Sequence, residues 1–346
     1  MSELKLNVLP SPTWNWLRMN DTSYQAKKLT GGAAPKVCIP DKVRAGEETF
    51  PKDFDGGIGR EFTDFLDKEE EKARVFDIDY DMADPIRLRY QTGKDQAVSD
   101  RVMINVAEGK KGLVVMNFTS DGSDGQLAVQ TAVNIAKDAE LTLFSVMRTG
   151  EGSVLMNDIG TQIGDGGRFN LVQIVLGGKD IFLGVKNHLS GTASEIDMKL
   201  GYYMTGDDNL DVNYIASHTG QKTKCNIYAN GILRDRSQKT FRGTIDFIKG
   251  CKGAKGDELE DVLLMDKTVR NKTIPVILCA EEDVEGNHGA TIGKLASDVL
   301  FYLESRGMDQ SEVYEMMARA KIDAIADQIS DEETRKLAKD YFQTGE

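Results

Sequence analysis

The sequence predicts a mainly β protein, a solenoid of stacked coils with helical additions at its ends, and three observations carry that prediction. From about Pro85 to Leu278, short runs rich in Val, Ile, Leu, Phe and Tyr alternate with Gly, Asp, Asn, Lys and Thr, with no helical period. Later strand starts near Asp180, Ser194, Asn209, Thr223 and Thr240 recur every 14 to 17 residues, a rhythm that suits repeated coils. Asn230-Gly231 is the one Asn-Gly dipeptide, so tight hairpins are few and the connections cross. A sandwich or barrel would show similar strands, and pattern alone sets the solenoid only slightly ahead.

The elements follow in order. An irregular segment, 1–78, carries a Trp14-Asn15-Trp16-Leu17 patch, a Thr30–Pro35 loop and an acidic stretch from Arg60 to Arg74. Phe62, Phe65 and Leu66 recur at helical spacing there, which predicts a short amphipathic helix followed by a solvated Lys68–Lys72 face. The β region, 79–290, includes strands at Val102–Val106, Gly112–Met116, Leu127–Thr131, Leu141–Val146 and Phe169–Val175, with turns at Gly164–Gly167 and Gly177-Gly178. At its end an apolar strand, Val276–Leu278, runs into an acidic corner of Glu281, Glu282 and Asp283, then a Gly-flanked His288 read as lying in a tight turn.

The last part, 291–346, is helical. Ser297 or Asp298 caps a helix through Arg306 that Gly307 ends, and Asp309-Gln310-Ser311-Glu312 caps the next. Val313, Met317, Ala320 and Ala324 form the apolar stripe of that second helix. Ser330-Asp331-Glu332-Glu333 opens a third, which contains Leu337, Tyr341 and Phe342. These thin apolar faces suit either packing on the solenoid or docking of a partner, since the adjacent Met316 and Met317 adapt to varied surfaces.

With 43 Lys and Arg against 56 Asp and Glu, the formal charge is -13, opposite to the footprint of a nucleic-acid binder. No run approaches the ~20 apolar residues of a membrane helix, and the expected compartment is the cytoplasm. Cys38, Cys225, Cys251 and Cys279 form no C-x-x-C pair, so free buried thiols are expected, Cys279 among them. An exposed neutral imidazole at His288 could meet a partner or a metal. Glu282 or Asp283 could orient it or share a metal.

Pro275 to Gly307 holds Glu282-Asp283-Val284, then Asn287-His288-Gly289-Ala290-Thr291-Ile292-Gly293, then Phe301-Tyr302-Leu303-Glu304-Ser305-Arg306-Gly307. These words resemble the C-terminal signature of the SufB/SufD family of iron–sulfur cluster assembly proteins. The resemblance implies a right-handed parallel β-helix core with an N-terminal irregular or helical segment and a C-terminal helical region. It implies a scaffold without a catalytic nucleophile, which pairs with a SufB-type subunit through the β-helix and binds a SufC-type ABC ATPase through its C-terminal helices. That docking surface would involve Leu300, Phe301, Tyr302, Arg306, Gly307, Val313, Met316 and Met317. His288 would lie near the subunit contact. No cofactor is expected to bind the isolated chain tightly, with iron or a nascent cluster handled in the complex.

Gly289 stands where SufB-type sequences carry Glu, Glu260 where they carry a Cys, and Gly286 where SufD-type sequences often carry a Cys. The resemblance is therefore SufD-like. Two other readings are a carbohydrate-active β-helix enzyme and a homodimeric β-helix scaffold.

Overall fold

Side chains alternate between the two faces of a strand, and residues directly opposite in a parallel, in-register pair share a face. One inward apolar residue per coil therefore builds a column. The computed structural model describes residues 2–26, 31–69, 71–121 and 124–342. In it, β1 (Ser2–Leu6) pairs antiparallel with β2 (Thr22–Ala26), and β3 (Lys36–Cys38), β4 (Arg44–Thr49) and α1 (Arg60–Leu66) follow. Thr30 and Glu70, within the expected loop and solvated run, lie outside the described residues.

The stack begins with β5 (Lys72–Ile78), β6 (Ile86–Thr92), β7 (Ala97–Val106), β8 (Lys111–Ser120), β9 (Gln126–Ile135) and β10 (Glu140–Arg148). It continues through β11 (Val154–Ile163), β12 (Arg168–Leu176), β13 (Asp180–Leu189), β14 (Glu195–Met204) and β15 (Asn209–His218). It ends with β16 (Lys224–Leu233), β17 (Gln238–Phe247), β18 (Ala254–Leu264), β19 (Arg270–Cys279) and β20 (Val284–Gly293). Odd strands from β5 to β19 make one sheet and even strands from β6 to β20 the other, giving a β-solenoid of about eight turns. Pairing between successive coils is parallel, whereas β4 and β3 add antiparallel to β5 and β6 and close the first coil's edges.

In the even sheet Ile86, Val114, Leu143, Leu171, Met198 and Ile227 stand in one register, all buried. Such burial stabilises by roughly 1.5–3 kcal/mol per side chain. Asn230-Gly231, the sole Asn-Gly hairpin signal, lies inside β16 rather than in a turn.

The outer face of the odd sheet is covered by the N-terminal segment. Leu4, Leu6, Phe62 and Leu66 pack on Ala128, Met156 and Phe182. Buried polar side chains pin that segment's backbone: Asp158 accepts from Ile58 N at 2.9 Å, Asn213 donates to Gly57 O at 2.7 Å, and Arg242 donates to Met19 O at 2.8 Å. A Cβ at Gly184 would lie 2.1 Å from Ile58 N, so only glycine permits this approach. α1 ends at Leu66, and Lys72 to Arg74, taken from the sequence as part of the acidic helical stretch, open β5 instead.

Helices cover the even sheet. α2 (Ser297–Glu304) follows β20, then α3 (Gln310–Ala326), opened by the expected capping box at Asp309 and Glu312, and α4 (Glu332–Lys339), capped by Asp331. Tyr314, Ala318, Ile322 and Ile325 of α3 pack with Val146, Ile174, Tyr203 and Ile232. This stripe differs from the expected one: Ala320 and Ala324 are exposed. Gly201 leaves room for Ile325, whose Cδ1 would stand 3.2 Å from a Cβ there. Arg87–Asp331 (2.6 Å) and Lys321–Asp261 (2.5 Å) tie the helices down.

Burial pushes the Asp158 carboxyl up to about 7, against the opposing hydrogen bonds from Ile58 and Gln130. Below the ordinary value of 3.8 both folded and unfolded forms are protonated; between there and about 7 only the unfolded carboxyl is ionised. Its contribution to stability therefore falls as pH rises through that window. Urea unfolding should show Asp158→Asn gaining on the wild type from about pH 4 to about pH 7, whereas a pH-independent difference would mean that the carboxyl ionises normally.

Candidate functional site

The inward columns change character at the C-terminal end of the stack. Above Ile227 the next residues in register are Glu258 and His288, and above Leu200 and Ala229 come Glu260 and Ala290. Across the lumen, Leu210 is followed by Lys239 and Asn271, and Val212 by Phe241 and Thr273. Glu258, Glu260 and Lys239 are all buried, while Leu259 between the two glutamates is 48% exposed. At Glu258–Glu260 the usual polarity of inside and outside is thus reversed, while Ala254, Gly256 and Val262 of the same strand keep it.

Glu260 is fully satisfied. Its carboxylate pairs with the Lys239 ammonium, Thr273 Oγ1 donates to it at 2.6 Å, and Tyr202 Oη donates at 3.3 Å. Tyr202 reaches it by passing over Gly231, where a Cβ would overlap the ring at 1.8 Å. Lys239 is drawn down to about 8 by burial, against the raising effect of Glu260.

Glu258 is not satisfied. It is 4% exposed, and its Oε2 is buried without a hydrogen-bond partner. Its carboxylate lies against Gly243 on the opposite wall, 2.4 Å from where a Cβ would be. Burial, and then the charge of Glu260, push its acid up to about 8.

His288 stands midway along β20, not in the tight turn that its glycine neighbours suggest, because the whole of Val284–Gly293 pairs with β18. It is exposed, since among the described residues no further coil covers it. Glu282 and Asp283 are exposed in the corner before β20. An extended strand rises ~3.3 Å per residue, so Asp283 is roughly 16 Å from His288 and the fold does not bring the pair to it. Among the described residues no three His, Cys, Asp or Glu side chains converge as a metal set. Cys279, expected to be buried, is exposed at the end of β19, where its Sγ donates to Glu281 O at 3.1 Å; Cys38 is also exposed, and Cys225 and Cys251 are buried. His218 ends β15, buried and lowered to about 4 by that burial, with Thr223 Oγ1 at 2.7 Å.

The residues grouped as a docking surface separate in the structure. Phe301 and Tyr302 are 73% and 56% exposed on α2, which buries no side chain, and Arg306 lies 5.2 Å over the Tyr302 ring. Gly307 takes φ +94° just beyond that helix, and Leu300 is half-buried. Met316 is exposed, Met317 packs half-buried on the even-sheet cluster, and Val313 is fully buried within the chain, which removes it from any exposed surface. Beside β19, Trp14 packs with Leu9, Ile274 and Val276, while Trp16 is 99% exposed. Among the described residues no strand pairs with the outer edge of β19 or β20.

Reading from sequence singled out Glu260 only as a departure from a motif and missed Glu258 and Lys239. The available signal was alternation: Ala254, Gly256 and Val262 point inward, which places Glu258 and Glu260 inward too. The run Val262-Leu263-Leu264 obscures that phase.

Fold and site together define a parallel β-solenoid closed at one end, open at the other, with a charged lumen at the open end. The chain belongs to the SufB/SufD family, since the family described as "SUF system FeS cluster assembly, SufBD core domain" matches residues 89–321, more than half of its length. An iron-sulfur cluster assembly SufBD family protein of Mycobacterium tuberculosis is 31% identical over 123 residues, covering 36% of this chain and 14% of the relative. The iron-sulfur cluster assembly protein SufD of Bacillus subtilis is 21% identical over 256 residues, 73% of this chain and 59% of the relative. Its SufB counterpart from the same organism is 28% identical over 112 residues, 32% of this chain and 24% of the relative. The matched segments span less than two thirds of each relative.

Removing one member of a buried ion pair strands the other charge. Lys239→Met should lower unfolding stability by about 3–5 kcal/mol, and adding Glu260→Leu should restore most of it. Urea melts of the single and double variants check this, and equal losses in both would refute it.

Proposed function

We propose that this chain is a SufD-like scaffold subunit of an iron–sulfur cluster assembly complex. It pairs with a SufB-type subunit through its open coil and contributes to iron acquisition or nascent-cluster assembly there. The observation that carries this reading is the unpaired pair of strand edges at β19 and β20, with His288 exposed beside them. An open edge is a template for another chain's strand. Glu260, engaged by Lys239, stands where SufB-type sequences carry Cys, so a thiolate ligand at that level would come from the partner. A second copy of this chain could use the same edges, which makes a homodimer the competing assembly.

The exposed aromatic face of α2 supports docking of a SufC-type ATPase. α3 and α4 are poor subjects for deletion because they bury part of the solenoid's own core. Phe301 and Tyr302 can be changed without disturbing it. Anaerobic co-purification with SufB- and SufC-type partners should give a stable complex, and Phe301→Ser with Tyr302→Ser should abolish ATPase co-elution while leaving the melting temperature unchanged. Retention of the ATPase by that variant would refute the docking assignment, and a wild-type chain that binds neither partner would refute the scaffold reading.

His288 occupies no internal contact that folding requires. His288→Ala should preserve complex formation yet lower iron and sulfide content of the reconstituted complex. Unchanged cluster yield would reduce His288 to a bystander at the interface.

A further inference from the structure

One outward column of the odd sheet meets the N-terminal segment on coil after coil. Gln130, Asp158, Gly184, Asn213, Arg242 and Ile274 stand in a single register from β9 to β19. Gln130 donates to Thr63 Oγ1 at 2.9 Å, Asp158 accepts from Ile58 N, Asn213 donates to Val8 O at 3.1 Å, and Arg242 donates to Met19 O. At the last coil the polar pin gives way to Ile274, which is buried with Val276 in a cluster with Leu9, Trp14 and Met19. The loop after β1 thus climbs the stack. Val8 lies at β15 and Leu9 and Trp14 at β19, and the chain then descends through Met19 at β17, Thr22 beside Asp211 of β15 and Tyr24 on Phe182 of β13.

Residues 15–18 turn the chain between Trp14 and Met19, so they are the summit of that climb, at the rim beside the free edge of β19. Trp16 and Leu17 are 99% and 60% exposed there. The turn that carries them is braced: Asn20 Oδ1 accepts from Trp14 N at 2.8 Å, Asn20 Nδ2 donates to Asn15 Oδ1, and Arg18 takes a left-handed φ of +52°. An indole held out on an ordered turn meets a partner without the cost of ordering it.

We propose that Trp16 and Leu17 form a clasp for the second subunit, closing over the outer face of the strand that pairs with the free edge of β19. This deepens the functional reading above and rests on it for the identity of that subunit. The N-terminal segment covers the outer face of every odd strand from β9 to β19, and a strand added to β19 would stand next in that line. It would lie ~4.8 Å beyond β19, level with the summit of the loop. The outward residue it sets in register with Ile274 is apolar, because a polar group buried there against an indole would lose its hydrogen bonds. The same change from polar to apolar already separates Arg242 from Ile274.

The test is fluorine NMR of the full chain grown with fluorotryptophan. Trp14 and Trp16 are its two tryptophans, and the resonance lost in Trp16→Phe identifies Trp16. Adding the unlabelled SufB-type subunit should shift that resonance and remove its solvent-isotope shift, while Trp14, already packed on Ile274 and Val276, changes little. Trp16→Ser with Leu17→Ser should melt at the wild-type temperature, since both side chains are exposed, and should weaken pairing at least about thirtyfold. A complex in which Trp16 keeps its solvent-isotope shift would overturn the clasp and leave the scaffold reading standing, as would wild-type affinity in the double variant. Protection of Trp16 on concentrating the chain alone, or on adding the SufC-type ATPase, would overturn the choice of occupant. A wild-type chain that does not pair with the SufB-type subunit would overturn the scaffold reading, and the clasp's occupant with it.

Discussion

In-register stacking is the constraint on which the rest of this protein depends. Once β5 and β6 set the phase of the first coil, every later coil repeats it, because a one-residue slip would turn the inward row out to solvent. The same rule makes the lumen a record of sequence read once per coil. A residue at a given register position is surrounded by its counterparts above and below, so a change of chemistry at one level is felt by the next. Glu258 follows Ile227 in this way, and His288 follows Glu258.

The two ends of the stack are treated differently. At the first coil β3 and β4 turn back antiparallel and satisfy the exposed edges. At the last coil β19 and β20 are left open among the described residues. Edge strands are normally protected, because an exposed row of backbone donors and acceptors invites pairing. An edge left open beside a charged lumen and an exposed histidine is a directional feature of the fold. The outer faces are not free in the same sense: the N-terminal segment is pinned to one sheet by Asp158, Asn213 and Arg242, and α3 and α4 lie on the other.

Within the lumen, polarity is managed by pairing. Gly231 lets Tyr202 cross to Glu260, and Thr273 and Lys239 complete that carboxylate's partners. A buried pair of this kind contributes little net stability, because desolvation offsets attraction. Its effect is instead to fix where charge sits. Glu258, one coil below His288, is the group that this network leaves over.

Much of this was legible in the sequence. Period-two alternation and regular strand starts identified the coils, since a half-buried strand needs nothing beyond its own pattern. The capping box at Asp309 and Glu312 was local and was found. His288 was placed in a turn because glycines usually mark turns, but β18 offered Gly286 and Gly289 a full ladder of partners. The stripe on α3 is ambiguous in sequence because apolar residues lie all round that helix; the hollow at Gly201 selects the face with Ile322 and Ile325. Sequence by itself thus determined the repeating strand, the short helices and the caps at Asp309 and Asp331, all of which depend on neighbours within a few residues; α2 instead starts after Ala296 with no side-chain cap, not at a Ser297 or Asp298 cap, and ends at Glu304 rather than Arg306. Only the tertiary structure decided that Glu258, Lys239 and His288 meet at one open end. Their proximity comes from coils about thirty residues apart, stacked in a register that no local pattern contains.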